Sequence, residues 1–304
     1  MKRVFIKFVA YAKNLRMAIR KKFTDSLCGK YDRKEADALF FFVVESLTGL
    51  DKTQQLARED YGLTEETKTR LEEIRSKLLQ NAPIQHILGE AEFCGLKFKV
   101  NKNVLIPRPE TAELVNIAAE GRGEHLDDKD KDEDFRVLDV GTGSGCIAIS
   151  IAKRLPNATV RAIDISPAAL KIAQENAKKN DVKVEFQQGD AMKLDEATHG
   201  KEMYDVIVSN PPYIRESERK SMDANVTDFE PSLALYVPDD NPLIFYRAIA
   251  KYAVDHLYKG GKLLFEINEN LGRDTESLVN SFNFTSVRLE KDFCGKDRYI
   301  IAEK

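Results

Sequence analysis

The sequence predicts an α/β fold, a mostly parallel sheet covered by helices on both faces, set behind a small helical N-terminal domain. Three observations predict it. Up to about residue 80 the apolar residues recur at helical spacing. From Phe135 onward nearly all-apolar strands alternate with helices. The first of those strands runs directly into a glycine-rich turn, Gly141-Thr142-Gly143-Ser144-Gly145.

In the N-terminal part, Ala36, Leu39, Phe40, Val43 and Val44, and then Leu71, Ile74 and Leu78, each mark one apolar helix face. Thr64 is a start signal, with Glu65 and Glu66 in a first turn where negative charge suits the helix dipole. Gly49 and Gly62 are natural stops. The first 24 residues carry Lys2, Arg3, Lys7, Lys13, Arg16, Arg20, Lys21 and Lys22 and no acid. An organelle transit sequence would look like this, but Val4, Phe5, Phe8, Val9, Leu15 and Ile19 recur at roughly helical spacing and favour a basic amphipathic helix.

Between Gln85 and Ile106 the pattern shortens to β-like runs, Gln85 to Leu88, Glu92 to Cys94 and Leu96 to Val100, broken by Gly89 and Gly95. A hairpin linker over 83–106 fits. Pro107 and Pro109 stiffen the approach to a helix beginning near Thr111. The expected division is therefore a helical domain over 1–82, the linker, and a main domain over 107–304. Asp127 to Asp134 contains only acids and lysines and should be a solvated loop.

The main domain then reads in order: strand Arg136 to Val140, helix Gly145 to Leu155, strand Thr159 to Ile163, helix Ala168 to Lys179, strand Lys183 to Gln187 and strand Val206 to Ser209. Lys262 to Ile267 is a further buried strand. Thr285 to Glu290 and Arg298 to Ala302 can return antiparallel at the sheet edge.

With 47 Lys and Arg against 50 Asp and Glu, a net charge of -3 does not suggest a strongly basic nucleic-acid binder. No apolar run approaches the roughly 20 residues of a membrane span, so a cytoplasmic location is expected. Cys28, Cys94, Cys146 and Cys294 are widely spaced, and His86, His125, His199 and His256 form no ligand cluster, so no disulfide framework and no metal are expected.

Val137-Leu138-Asp139-Val140 leading into the glycine turn is the place where a doubly wound sheet lets a nucleotide-like ligand approach the backbone. Asp164 ends the next strand, about 20 residues on, where a carboxylate can accept from both ribose hydroxyls. A dinucleotide-binding dehydrogenase is the competitor. Against it, the sixth position of the glycine pattern is Cys146, and Asp139 favours a ligand with a positive amino or sulfonium group, as S-adenosylmethionine has. Asp190, in Gly189-Asp190-Ala191 after the third strand, is placed to accept from an adenine amine, with a simple turn cap as the competing role.

The fourth strand runs into Asn210-Pro211-Pro212-Tyr213, which topology turns towards the cofactor. Two prolines fix an extended backbone and remove two N–H donors, leaving a rigid display of acceptors. A planar amino group is a poor nucleophile because its lone pair is delocalised. The Asn210 side-chain carbonyl and the Pro211 backbone carbonyl can each take one N–H of such a group while Tyr213 packs on its face. A planar NH2 methylated from S-adenosylmethionine is the reading that follows.

Pro83-Ile84-Gln85-His86-Ile87-Leu88-Gly89, Leu105-Ile106-Pro107-Arg108-Pro109-Glu110-Thr111, the glycine turn, the Asn-Pro-Pro-Tyr tetrad and Glu230-Pro231-Ser232-Leu233-Ala234-Leu235 together resemble the protein glutamine N5-methyltransferases of peptide chain release factors. The resemblance runs from about Pro83 to the end. It departs at His86, where a tyrosine is usual, and at Tyr236-Val237, where glycines are common. It implies a class I methyltransferase fold, Rossmann-like with an antiparallel edge, and methyl transfer to the glutamine of a Gly-Gly-Gln loop. The protein partner would be a release factor, with no nucleic acid or membrane partner. Family cofactor contacts fall on Gly141, Thr142, Gly143, Ser144, Gly145, Asp164 and Asn210, and the substrate amide on Asn210, Pro211, Pro212 and Tyr213. A family adenine contact falls on Ala191, which has nothing to offer it. The helical domain, carrying no recognisable chemistry, is expected to dock the protein substrate. The alternatives are an adenine or guanine exocyclic-amine methyltransferase, which needs a basic surface, and a non-catalytic cofactor-binding scaffold, which would not need the tetrad.

Overall fold

A computed structural model describes residues 18–58, 60–120, 135–198 and 202–304. The basic start before residue 18, the Asp127 to Asp134 segment, His125 and His199 lie outside the described residues. The chain divides into two compact units, Met1–Leu88 and Gly89–Lys304.

The first unit is helical. Helices Arg33–Thr48, Lys52–Ala57 and Glu65–Leu79 begin at Asp32, Asp51 and Thr64, whose side chains accept from the backbone N–H three residues on. The expected stripes become its core: Ala36, Phe40, Val43 and Val44 pack with Leu71, Ile74 and Leu78. Gly49 ends the first helix in the left-handed region, at φ 70. Gly62 does not end a helix; it lies in a turn beyond Arg58, the C-cap of the second. Gln85 to Leu88, expected as a strand, belongs to the helical turn Ile84–Leu88, because Pro83 presents a carbonyl that accepts from Ile87 N at 3.0 Å.

The second unit opens with a hairpin of β1 (Glu90–Phe93) and β2 (Leu96–Lys99). Its main sheet contains β3 (Arg136–Val140), β4 (Thr159–Asp164), β5 (Glu185–Gln188), β6 (Tyr204–Ser209), β9 (Leu257–Glu266), β10 (Ser286–Lys291) and β11 (Asp297–Glu303). The spatial order is β10-β11-β9-β6-β3-β4-β5. Pairing is parallel from β9 to β5, and β11 runs antiparallel to both β9 and β10. Two short strands, β7 (Ile214–Arg215) and β8 (Tyr236–Val237), pair parallel as a separate two-stranded sheet, in which the Tyr236-Val237 departure is buried.

Alternating residues of the strands feed two cores. Val137, Val206, Val208 and Leu264 pack under helices Ala112–Glu120 and Cys146–Arg154. Leu138, Val140, Ile207, Leu263 and Phe265 pack under Ile244–His256 and Gly272–Asn280. Burial on both faces is why these strands are continuous apolar runs. From β3 the chain moves outward to β4 and β5, and from β6 it moves the other way to β9. The crevice beyond the carboxyl ends of β3 and β6 is therefore the switch point at which such sheets bind ligands.

Candidate active site

At the end of β3 the backbone N–H groups of Gly141 and Thr142 both donate to the Ile163 carbonyl, at 2.8 and 3.0 Å, which bends the chain over the carboxyl end of the neighbouring β4. Gly141 and Gly143 have φ 77 and 56, and a Cβ on either would meet no atom of the described residues within 4 Å. They combine a left-handed backbone with open space. Gly145 serves packing instead: a Cβ there would lie 2.8 Å from Ile149 and 3.1 Å from Ala173. Ser144 is buried, and its carbonyl accepts from Asn176 Nδ2 at 2.9 Å. The Asn176 side-chain amide also accepts from Lys99 N through Oδ1, at 2.6 Å, and donates through Nδ2 to the Lys99 carbonyl, at 3.0 Å, and so ties the hairpin to the glycine turn.

Asp139 lies beneath the turn and does not line the cavity above it. Its Oδ2 accepts from Thr142 Oγ1 at 2.7 Å and Ala148 N at 3.2 Å, and its Oδ1 is buried with no partner among the described residues. Burial pushes the carboxyl up to about 7, against the pull of those two bonds. The sequence expectation that Asp139 meets a cationic ligand group gives way to a bracing role under the backbone.

Asp164 ends β4 and lines the cavity. One oxygen accepts from Gly143 N and the other from Ser166 N, both at 2.8 Å, leaving each a free lone pair. Burial raises its pKa against those bonds. Asp190 also lines the cavity, and its Oδ1 accepts from Met192 N at 2.8 Å, capping the short turn Ala191–Lys193. The turn-cap role is the one the geometry supplies.

On the other side of the switch point, Ser209 Oγ donates to the Val140 carbonyl at 2.7 Å and clips β6 to β3. Asn210, Pro211 and Pro212 border the same cavity, of about 350 Å³, as Gly141, Thr142, Gly143, Ser144 and Asp164. Tyr213 does not line it. The ring expected over the acceptor is off the cavity wall, and its hydroxyl donates to the buried carboxylate of Glu266, 3.2 Å away. Burial and that carboxylate push the Tyr213 phenol well up.

Several residues that shape the site were not assigned a role by sequence reasoning. Thr111 and Arg108 line the cavity, Glu230 holds Arg108 at 2.6 Å, and Glu266 accepts from Thr111 Oγ1 at 2.6 Å. Glu266 did carry a signal: an acid inside the apolar run Leu263-Leu264-Phe265-Glu266-Ile267 must find buried partners.

The donor set fits S-adenosylmethionine. Asp164 offers acceptor lone pairs for ribose hydroxyls, Gly141 and Gly143 leave their backbone open, and Ile163, Ile165 and Ile147 supply apolar wall. The volume lies in the range of small-molecule sites, roughly 300–1,000 Å³.

A family model described as a methyltransferase domain matches residues 131–299, and one described as the PrmC N-terminal domain matches 18–89. The release factor glutamine methyltransferase of Flavobacterium psychrophilum is 42% identical over 281 residues, covering 92% of this chain and 96% of that protein. That of Bacteroides thetaiotaomicron is 44% identical over 279 residues, with coverage of 92% and 96%. That of Lactococcus lactis is 42% identical over 260 residues, covering 85% and 91%. With these extents of likeness across both compact units, the chain belongs to the release factor glutamine methyltransferase family.

Proposed function

We propose that this chain transfers the methyl group of S-adenosylmethionine to the side-chain amide nitrogen, N5, of the glutamine in the Gly-Gly-Gln loop of peptide chain release factors. The observation that carries the reading is a shared wall: Asn210, Pro211 and Pro212 border the same cavity as Gly141, Gly143 and Asp164. A planar NH2 held by the tetrad is then within reach of a group held by the glycine turn.

The bound cofactor supplies an electrophilic methyl group on a sulfonium sulfur. The chain supplies positioning and charge stabilisation. Asn210 Oδ1 and the Pro211 carbonyl each accept one amide N–H, turning the nitrogen lone pair towards the methyl and favouring the positive charge that grows as the N–C bond forms and the methyl–sulfur bond breaks, after which the nitrogen gives up one N–H proton to water. Asp164 holds the ribose and the glycine turn together, since it already braces Gly143 N. The helical unit, whose sequence carries no recognisable chemistry, serves as the docking element for the protein substrate. No described helix is long and apolar enough to cross a membrane. A substrate used in translation carries with it a cytoplasmic location.

The test is to incubate the full chain with methyl-labelled cofactor and, separately, a release factor and nucleic acid, then to map the label. Label on the Gly-Gly-Gln glutamine is expected. Label on a nucleobase, or none on the factor, defeats the reading.

A further inference from the structure

Behind the tetrad lies a buried acid that the mechanism above does not use. Glu266 ends β9 and is 0% exposed. Its Oε2 accepts from Thr111 Oγ1 at 2.6 Å and its Oε1 from Tyr213 at 3.2 Å. A threonine hydroxyl has one proton, and the charged carboxylate is its strongest available acceptor. Having donated that proton, Thr111 Oγ1 presents only lone pairs. Asn210 Nδ2 lies 3.4 Å from it, and Asn210 borders the cavity. At that distance the bond is weak. The orientation rests on exclusion: an Asn210 amide turned the other way would set two acceptors, Oδ1 and the Thr111 lone pairs, against each other.

We propose that Glu266 is a positioning residue for methyl transfer, acting through Thr111 to turn the Asn210 carbonyl, rather than its NH2, towards the acceptor nitrogen. The same carboxylate holds Tyr213 at the far end of the tetrad, so one buried charge sets both ends of the acceptor segment. This rests on the reading that Asn210 receives the acceptor.

Protonation should undo the relay. Burial pushes the Glu266 carboxyl up to about 7, Glu110 adds to the rise, and Thr111, Tyr213 and Arg298 oppose it. Tyr246 and Tyr299 also pack against it, the first donating to its backbone carbonyl at 3.1 Å and the second facing it across the β9–β11 pair. Once protonated, one carboxyl oxygen becomes a donor, and Thr111 is free to offer its own proton to Asn210 Oδ1. The acceptor would then meet an NH2 group where it needs a carbonyl.

The experiment compares full-length wild type, Thr111→Val, Thr111→Ser and Glu266→Gln, measuring kcat, KM for the acceptor and cofactor Kd across pH. Thr111→Val and Glu266→Gln should lower kcat by about 10- to 100-fold while cofactor Kd stays within about threefold. Thr111→Ser keeps the hydroxyl and should stay within about threefold of wild type. Wild-type kcat should rise with pH through about 7, and Glu266→Gln should lack that limb. Wild-type kcat in Thr111→Val, equal losses in the serine and valine variants, or an unchanged limb in Glu266→Gln would each overturn the proposal. If Glu266→Gln does not fold, the valine and serine pair decides alone. Should wild type methylate a nucleobase instead of the factor, the function reading fails, and the same variants on that amine still judge the relay.

Discussion

The Arg108 guanidinium donates to Glu230 Oε1 at 2.6 Å across 122 residues of sequence, and Ile106 N donates to the other oxygen at 3.1 Å. Glu230 is almost fully buried, while Arg108 is partly exposed. The pair staples the Pro-Arg-Pro-Glu-Thr run to the Glu-Pro-Ser-Leu-Ala-Leu run. Leu105, Pro107 and Arg108 from the first, and Pro231, Leu233 and Ala234 from the second, line the cavity. Two motifs that look independent in sequence are two sides of one rim.

Glu230→Ala should therefore destabilise the protein by about 2–3 kcal/mol, because it leaves the Ile106 N–H and one end of Arg108 without their partner. The partial exposure of Arg108 keeps the cost below that of a fully buried pair. Urea unfolding measures it, and the acceptor KM should rise alongside. Unchanged stability would show that water replaces the carboxylate without penalty.

For Asp164→Ala the expectation is S-adenosylmethionine binding weaker by about 1.5–3 kcal/mol, or about 10- to 150-fold. Two losses combine: the ribose acceptors, and the carboxylate that holds Gly143 N at 2.8 Å. Calorimetry decides. Wild-type affinity in the variant removes Asp164 from the cofactor site.

Asn210→Ala should reduce turnover on the order of 100-fold or more with the fold intact, since one group that meets the developing charge is gone. Single-turnover methylation separates this from slow product release. A near-normal single-turnover rate would rule out the side-chain carbonyl as an acceptor of the amide N–H.

The parts of the site legible in sequence are those that topology alone locates. Gly141 and Asn210 follow, and Asp164 ends, a strand whose apolar run is unmistakable, and such ends converge in a doubly wound sheet. What stayed hidden are partnerships between distant positions. Thr111 and Glu266 are 155 residues apart, and Asn176 and Lys99 are 77 apart. Nothing in local period or propensity announces them. Helix Ile244–His256 does carry a period, with Tyr246, Ile249, Ala250 and Ala253 buried on one side, although it is not among the elements expected from the sequence. Gln85 to Leu88 misled for the opposite reason: four residues are too few to tell a period of 2 from one of 3.6.

A further expectation concerns the helical unit. Phe42 and Leu79 are large apolar side chains exposed on its helices. If this unit docks the release factor, replacing both with Ser should raise KM for the whole factor several-fold and leave the rate on a short Gly-Gly-Gln peptide unchanged. Equal effects on both substrates, or none on either, would remove this surface from docking.

The buried carboxyls make stability depend on pH in an unusual direction. Burial pushes Asp139 and Glu266 each up to about 7, and raises Asp164 as well. In the unfolded chain such groups titrate near 4. Between those values the folded state holds protons that the unfolded state has released, so stability falls as pH rises through the window, by up to about 1.4 kcal/mol per pH unit for each group. Above about 7 the folded groups ionise too, and the curve levels. Carboxylates with lowered pKa, such as Asp37 and Glu90, act below the window, where their contribution is lost on acidification. The urea midpoint of the cofactor-free protein should accordingly decrease from about pH 5 to about pH 7. Asp139→Asn should flatten part of that slope, since an amide oxygen still accepts from Thr142 and Ala148 without carrying charge. A midpoint that climbs across the window in wild type, or an Asp139→Asn slope as steep as wild type, would mean that these carboxyls reach solvent and keep ordinary acidity.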